Sequence, residues 1–147
     1  MAITVNQAYE IFSNIQVNLK FEIIAIEDAQ NRICAQEVFA TSSLPKFDNS
    51  AMDGYAIVYE DKNEELKVID TIFAGDNNKT LLEKNTCIKI MTGARIPKNA
   101  TAIIPKEDTK ELENKKINIK NNIKNTKEFQ HIRFIGEDIK SGELLIK

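Results

Sequence analysis

Asp53, Thr92, Arg133 and Asp138 are the residues whose types and settings could do chemistry in this chain. Asp53 closes the polar run Asp48-Asn49-Ser50-Ala51-Met52 and leads through Gly54 into the alternating stretch Tyr55-Ala56-Ile57-Val58-Tyr59. Asp, Asn and Ser side chains fold back onto their own backbone in turns, and Gly54 admits a positive φ. Such a turn can hold a carboxylate stiffly at the lip of a sheet, which suits ligand binding or catalysis. The plainer alternative is an Asx-type turn with no ligand. Thr92 and Gly93 end the segment Cys87-Ile88-Lys89-Ile90-Met91, and Pro97 follows shortly after. Gly93 lets the backbone approach a ligand closely, and Thr92 offers one hydroxyl at the strand end. A simple strand-terminating turn fits the same residues. Arg133 is one of three arginines among 20 basic residues, and its planar fork suits phosphate or carboxylate. Gly136-Glu137-Asp138 behind it also reads as a surface turn.

Several chemistries are excluded. Asn49, Asp53, Gly54 and Glu60 fall at positions one, five, six and twelve of a calcium-binding EF-hand loop, but position three is Ala51 and a strand follows Gly54. Neither Gly-rich phosphate-loop pattern is present. His131 is the single histidine and has no nucleophile at a motif spacing, and no Cys/His cluster could hold zinc. A net charge of −2 is a poor basis for binding nucleic acid. No apolar run reaches membrane-spanning length and no leader pattern opens the chain. Cys34 and Cys87 stand apart, which points to two buried, reduced thiols in a cytoplasmic protein.

The elements that must position these residues are mostly strands. At 147 residues and 42% hydrophobic content the chain can bury a sizeable core in one or two small domains. Thr4-Val5-Asn6-Gln7 is a capping box, and Val5, Ala8, Phe12 and Ile15 recur at helical spacing, so a helix is expected over 5–18. Strands are expected at 21–26 and 32–39, with a helical turn at 27–30 and Asn31 at its left-handed end. Further strands are expected at 55–59, 67–73, 87–91, 101–105, 116–120, 130–134 and 143–147. The Asn- and Lys-rich stretch 114–127 reads as a protruding hairpin with a solvated tip. Only five glycines serve all these turns, so Asn should stand at several left-handed positions.

The three segments, in this order, resemble the MoeA family, the molybdopterin molybdotransferases that include the gephyrin E domain. Residues 44–56 are close to that family's LP-x-FDNSAMDGYA, Ile90-Met91-Thr92-Gly93-Ala94 with Pro97 follows, and Arg133 precedes Gly136-Glu137-Asp138. Asn31, Asn85 and Asn99 stand where the family has Gly, and Thr101 where it has Asp. The resemblance runs essentially the length of the chain, which looks like an N-terminal fragment without the molybdopterin-binding α/β domain and the C-terminal β domain. It implies an α+β, β-rich fold. Residues 1–45 and 131–147 would form an N-terminal subdomain from both chain ends, with a barrel- or sandwich-like β domain at 46–130 inserted. The implied activity is insertion of molybdate into adenylylated molybdopterin, giving molybdenum cofactor and AMP, with Mg²⁺. By motif, Asp53, Thr92 and Asp138 would be catalytic, Arg133, Ser50 and Gly93 would bind substrate, and Asp53 and Asp138 would hold the metal. The fragment alone is expected to have no turnover. The implied partners are a second copy in a homodimer and the molybdopterin adenylyltransferase, with no nucleic acid or membrane involved. The alternative is a non-enzymatic dimerisation or docking module on the same scaffold.

Overall fold

The computed structural model describes residues 2–16, 18–77, 80–120 and 126–147. Contacts divide the chain into two compact units, Met1–Glu37 with Ile146–Lys147, and Val38–Leu145. In the first unit the capping box forms as expected: the Gln7 amide donates to Thr4 Oγ1 at 3.3 Å and the Thr4 amide to Gln7 Oε1 at 2.9 Å. Helix α1 (Val5–Ser13) nevertheless stops earlier than its apolar spacing suggested. Asn14 ends it by turning its side-chain amide back to the Glu10 carbonyl at 2.9 Å. No side chain of α1 is buried. A 3₁₀ turn at Ile26–Asp28 leads to Asn31 at φ 64°, as anticipated. The strand expected at 21–26 is absent: Phe21 and Ile23 are exposed and 21–25 carries no ladder. Apolar alternation makes a strand only where a neighbouring strand takes its hydrogen bonds.

The strands lie in the second unit, apart from Ile146 at the end of the last one. In chain order they are β1 (Val38–Phe39), β2 (Asn49–Ser50), β3 (Gly54–Ile57), β4 (Leu66–Ile72) and β5 (Thr86–Ile90). They continue with β6 (Ala102–Pro105), β7 (Thr109–Leu112), β8 (Lys116–Ile119), β9 (Ile132–Arg133) and β10 (Leu144–Ile146). A six-stranded sheet runs β6-β3-β5-β4-β8-β7, while β1 pairs with β10 and β2 with β9. The chain is therefore β-rich with one α-helix among the described residues, in line with the expected fold class. Of the expected strand at 32–39 only β1 forms. Neither β2 nor β7 stood out in the sequence, because both are short and largely polar. The hairpin expected at 114–127 turns earlier: β8 pairs back onto β7 around Asn114 and Lys115, both at positive φ. Residues 121–125 of that stretch lie outside the described residues.

Strand β3 shows why the sheet is stable. Every one of its residues is buried, with β5 on one side and β6 on the other. Ala56, Ile88 and Ile103 pack on one face, with Ile72 and Ile90. Tyr55, Ile57, Cys87, Ala102 and Ile104 pack on the opposite face, with Leu66 and Ile117. Each fully buried aliphatic side chain stabilises by about 1.5–3 kcal/mol, so two apolar faces on one sheet make this the anchor of the unit. A bulge between Val68 and Asp70 inserts one residue into β4. It lets Val68, opposite Cys87, and Thr71, opposite Lys89, share a face despite their odd separation.

Candidate functional site

Gly54 sets the position of Asp53. A Cβ at Gly54 would lie 2.0 Å from the Ile104 carbonyl oxygen, so β6 can approach β3 only if this residue has no side chain. The expected left-handed torsion is not the reason, since Gly54 is absent from the positive-φ residues. The Asp53 carbonyl then accepts from the Lys106 amide at 3.1 Å, fixing the residue at the end of the sheet. Its carboxylate is exposed. One oxygen, Oδ1, accepts from both the amide and the hydroxyl of Thr92, each at 2.7 Å. These bonds hold the Asp53 pKa below its ordinary 3.8, the Thr92 amide being the larger cause and the hydroxyl the second, with slight desolvation opposing them. The Thr92 hydroxyl proton is thus given to Asp53, so Thr92 positions the carboxylate and has no proton left for an oxyanion.

Ser50 and Gly93 are part of the frame that holds this pair. The Gly93 amide donates to the Ser50 carbonyl at 2.8 Å, and the Ser50 amide to the Ala94 carbonyl at 3.0 Å. Gly93 itself sits at φ 79°, where a side chain would be strained. The buried Ser50 hydroxyl donates to the Met52 carbonyl at 2.6 Å, closing the turn that precedes Asp53. Asn49 makes the expected local bond, to the Phe47 carbonyl, but Asp48 does not fold back. Its Oδ1 accepts from the Ile135 amide at 2.7 Å, across 87 positions of sequence.

Arg133 and Asp138 form a second pair. Arg133 lies on β9, opposite Asn49 of β2, and its Nη2 donates to Asp138 Oδ1 at 2.5 Å. Glu137 lies near the same guanidinium, at 3.9 Å. The Gly136 and Asp138 amides donate to the carbonyls of Pro45 and Leu44, so this turn is stitched to the segment before Asp48. The structure therefore brings Asp53 to Thr92 and Arg133 to Asp138, with β2 between the two pairs. No hydrogen bond or ion pair joins one pair to the other among the described residues. Nor does any group of three His, Cys, Asp or Glu side chains there form a metal cage.

A cavity of about 450 Å³ opens beside Asp53, lined by Thr71, Phe73, Lys89 and Met91. Gly54 and Lys106 complete its wall. The two lysines did not stand out in the sequence. The readable trace was Lys89 itself, a charge interrupting the alternation of Cys87 and Met91 on one face. No helix among the described residues is long and apolar enough to cross a membrane.

Comparison with known proteins places this geometry in context. The family model for the MoeA N-terminal region (domain I and II) matches residues 3–147. A molybdopterin molybdenumtransferase of Haemophilus influenzae is 36% identical over 128 residues, covering 86% of this chain and 31% of that protein. One of Staphylococcus aureus is 35% identical over 152 residues, covering 99% of this chain and 35% of that protein. A crystal structure of the molybdopterin biosynthesis MoeA protein of Pyrococcus horikoshii superposes with TM-score 0.75 at 32% identity, over 100% of this chain and 38% of that one. Another crystal structure of a molybdopterin biosynthesis MoeA protein, from Pyrococcus horikoshii OT3, gives TM-score 0.76 at 34% identity, over 86% of this chain and 34% of that one. The chain thus spans about a third of the length of the relatives it matches.

Proposed function

Because this chain belongs to the MoeA family, matching its N-terminal region, we propose that it supplies part of a cleft where molybdate enters adenylylated molybdopterin and AMP leaves. The relatives named molybdopterin molybdenumtransferase put the family among transferases of molybdenum cofactor biosynthesis. The observation that carries the proposal for this chain is the Asp53–Thr92 clamp, a stiffly held carboxylate whose second oxygen has no hydrogen-bond partner among the described residues, at the rim of a cavity that also presents two lysines.

The reacting partners are anionic, so a carboxylate among them is costly unless it holds a cation, a water or a donor. Asp53 Oδ2 is the atom free for that duty, and Thr92 fixes its direction. Mg²⁺ keeps several waters and asks for only one or two carboxylates besides phosphate oxygens, a requirement Asp53 fits. When bound, the ion supplies charge neutralisation at those phosphates. Asp138 fits the metal less well, since Arg133 already occupies its Oδ1. We assign Asp138 to holding Arg133, whose remaining guanidinium donors face the substrate's anionic groups. Ser50 and Gly93 serve binding through the backbone they fix.

Homodimeric assembly, supply of substrate by the adenylyltransferase, a cytoplasmic site of action and a subdomain joining 1–45 with 131–147 belong to the same proposal. The test is complementation. This chain mixed with a separately made remaining portion of the Staphylococcus aureus relative should regain molybdate insertion, and the chain alone should show none. Asp53→Asn in the mixture should lower insertion by about a hundredfold, the scale of losing a positioned charge at a reacting centre, while binding of adenylylated molybdopterin persists. Insertion at the unsubstituted rate would remove Asp53 from the mechanism.

A further inference from the structure

We propose that Asp48 is a positioning residue, the joint that holds the Arg133–Asp138 turn in place against the Asp53–Thr92 clamp. The inference rests on the cleft reading above and adds to it a residue that acts through others and touches no substrate.

Strand register leads to this assignment. Residues 48–50 lie between the segment that follows Thr92 and the strand that carries Arg133. On the first side the bonds run backbone to backbone. The Gly93 amide donates to the Ser50 carbonyl at 2.8 Å, the Ser50 amide to the Ala94 carbonyl and the Ile96 amide to the Asp48 carbonyl, both at 3.0 Å. On the second side Ser50 faces Ile132 and Asn49 faces Arg133, and there the pairing of β2 with β9 ends. Asp48 is next in register, opposite Phe134, but the chain turns away: the Glu137 amide donates back to the Phe134 carbonyl at 3.1 Å. Here the Asp48 side chain takes over from the backbone, and its Oδ1 accepts from the Ile135 amide at 2.7 Å. One residue thus grips the Thr92 side through its carbonyl and the Arg133 side through its carboxylate.

The turn depends on that second grip. Each amide from Phe134 to Asp138 has a partner, as folded backbone requires. Phe134 donates to Glu137 Oε2 inside the turn, and Gly136 and Asp138 donate to the Pro45 and Leu44 carbonyls. Those carbonyls survive any substitution, whereas Ile135 relies on a side chain from outside the turn. Asp48 forms no ion pair among the described residues, so pairing with a cation does not explain its charge. A charged acceptor makes the shorter and stronger bond to an amide, which does explain it. The residues beside Asp48 are themselves held. Asn49 donates its side-chain amide to the Phe47 carbonyl at 3.2 Å, and the Arg95 guanidinium lies 4.1 Å over the Phe47 ring. Arg133 and Asp138 flank the turn and bind each other, so a turn that swings carries both. A misplacement of about 1 Å near a reacting centre can cost on the order of a hundredfold in rate.

The experiment has two arms. The first measures residual dipolar couplings by NMR on this chain alone. Asp48→Ala should change the couplings of the Phe134, Ile135, Glu137 and Asp138 amides and leave those of Tyr55, Ile88 and Thr92 as they were. Asp48→Asn, which keeps an acceptor oxygen, should restore them. The second arm places the variants in the complementation mixture. Asp48→Ala should lower kcat for molybdate insertion about tenfold or more and keep KM for adenylylated molybdopterin within about threefold, since every binding group is present but out of alignment. Asp48→Asn should hold kcat within about threefold. Where urea unfolding shows that Asp48→Ala does not fold, Asp48→Glu takes its place with the same expected losses, its carboxylate displaced by one methylene. Unmoved couplings, an unchanged kcat, or an Asn variant as impaired as the Ala variant would each overturn the joint. A loss of activity no greater than the loss of folded chain would overturn it as well. Moved couplings in a chain that complements nothing would fail the insertion reading and support the joint, whereas full insertion by Asp48→Ala would fail the joint alone.

Discussion

At the scale of single residues, the chemistry turns on which protonation state each group prefers. The two hydrogen bonds that Asp53 accepts from Thr92 are stronger to the anion than to the neutral acid, so its folded pKa lies below the ordinary 3.8. A depressed carboxylate contributes stability that is fully present above its unfolded value and is lost as pH falls through the lowered one. The carboxyl carbon of Asp53 should therefore titrate with a midpoint below 3.8, and Thr92→Val, which removes the hydroxyl donor and keeps the amide, should move it part of the way back. A midpoint at or above the ordinary value in the unsubstituted chain would dissolve the clamp. Cys87 shows the opposite sign. Burial pushes its thiol from 9.0 up to about 12, so its contribution is fully present below 9.0 and is lost progressively as pH rises from there through the upper value. Cys34, expected to be buried too, is exposed, with its thiol against the Gln36 carbonyl. That expectation rested on cysteine spacing and compartment, which say nothing of local packing, and its neighbour Ile33 is almost fully exposed as well. Iodoacetamide should alkylate Cys34 in the folded chain and leave Cys87 unmodified until denaturant is added, as read by peptide mass spectrometry. Equal labelling of both would contradict the burial of β5.

At the scale of elements, the fold was legible wherever a strand lies in the two-faced sheet. The segments that became β3, β5 and β6 alternate apolar residues whose two sets both find a core, so periodicity and structure agree. Asn31, Asn85 and Asn99 sit at φ 64°, 58° and 68°, as the shortage of glycine required. Gly54 was legible as necessary, but for the wrong reason. Its backbone torsion is unexceptional, and the constraint is the carbonyl of a strand about fifty positions downstream, which no local reading could supply. This separates two kinds of glycine. At Gly54 an added methyl meets backbone that cannot give way, so Gly54→Ala should cost on the order of 3 kcal/mol or more. At Gly75, with φ +92° and nothing within 4 Å, the same change should cost about 1–2 kcal/mol from torsional strain alone. Urea unfolding should report both as lowered midpoints with unchanged slope. A Gly54→Ala midpoint no lower than that of Gly75→Ala would mean that β3 and β6 can separate without cost. That the two cavity lysines belong together was illegible for a related reason: Lys89 and Lys106 line one cavity only because β5, and β6 just before Lys106, flank the same end of β3.

At the scale of the whole molecule, the motifs carried identity and the hydrogen bonds carry its physical meaning. Three segments far apart in sequence were legible as one family signature. What they do for one another was not, because Asp48 reaching Ile135 and Gly93 reaching Ser50 are contacts made only in the folded chain. Burial is also spread very unevenly. Every buried residue among those described lies in Val38–Leu145, while in Met1–Glu37 none is buried and α1 has nine residues. Isolated helices shorter than about 12–15 residues are marginal in water, and the capping box of α1 adds only about 1 kcal/mol. Local opening should therefore cost little in Met1–Glu37 and approach the global unfolding energy in β3, β5 and β6. In native-state hydrogen exchange, amides of α1 should exchange at least about a thousandfold faster than those of Ala56, Ile88 and Ile103, a gap of about 4 kcal/mol in opening energy. The Gly54→Ala substitution should then accelerate exchange in the sheet and leave α1 rates unchanged, since α1 opens without the sheet. Protection of α1 equal to that of β3 would show that the two units unfold as one, and would overturn the uneven distribution of stability inferred from burial.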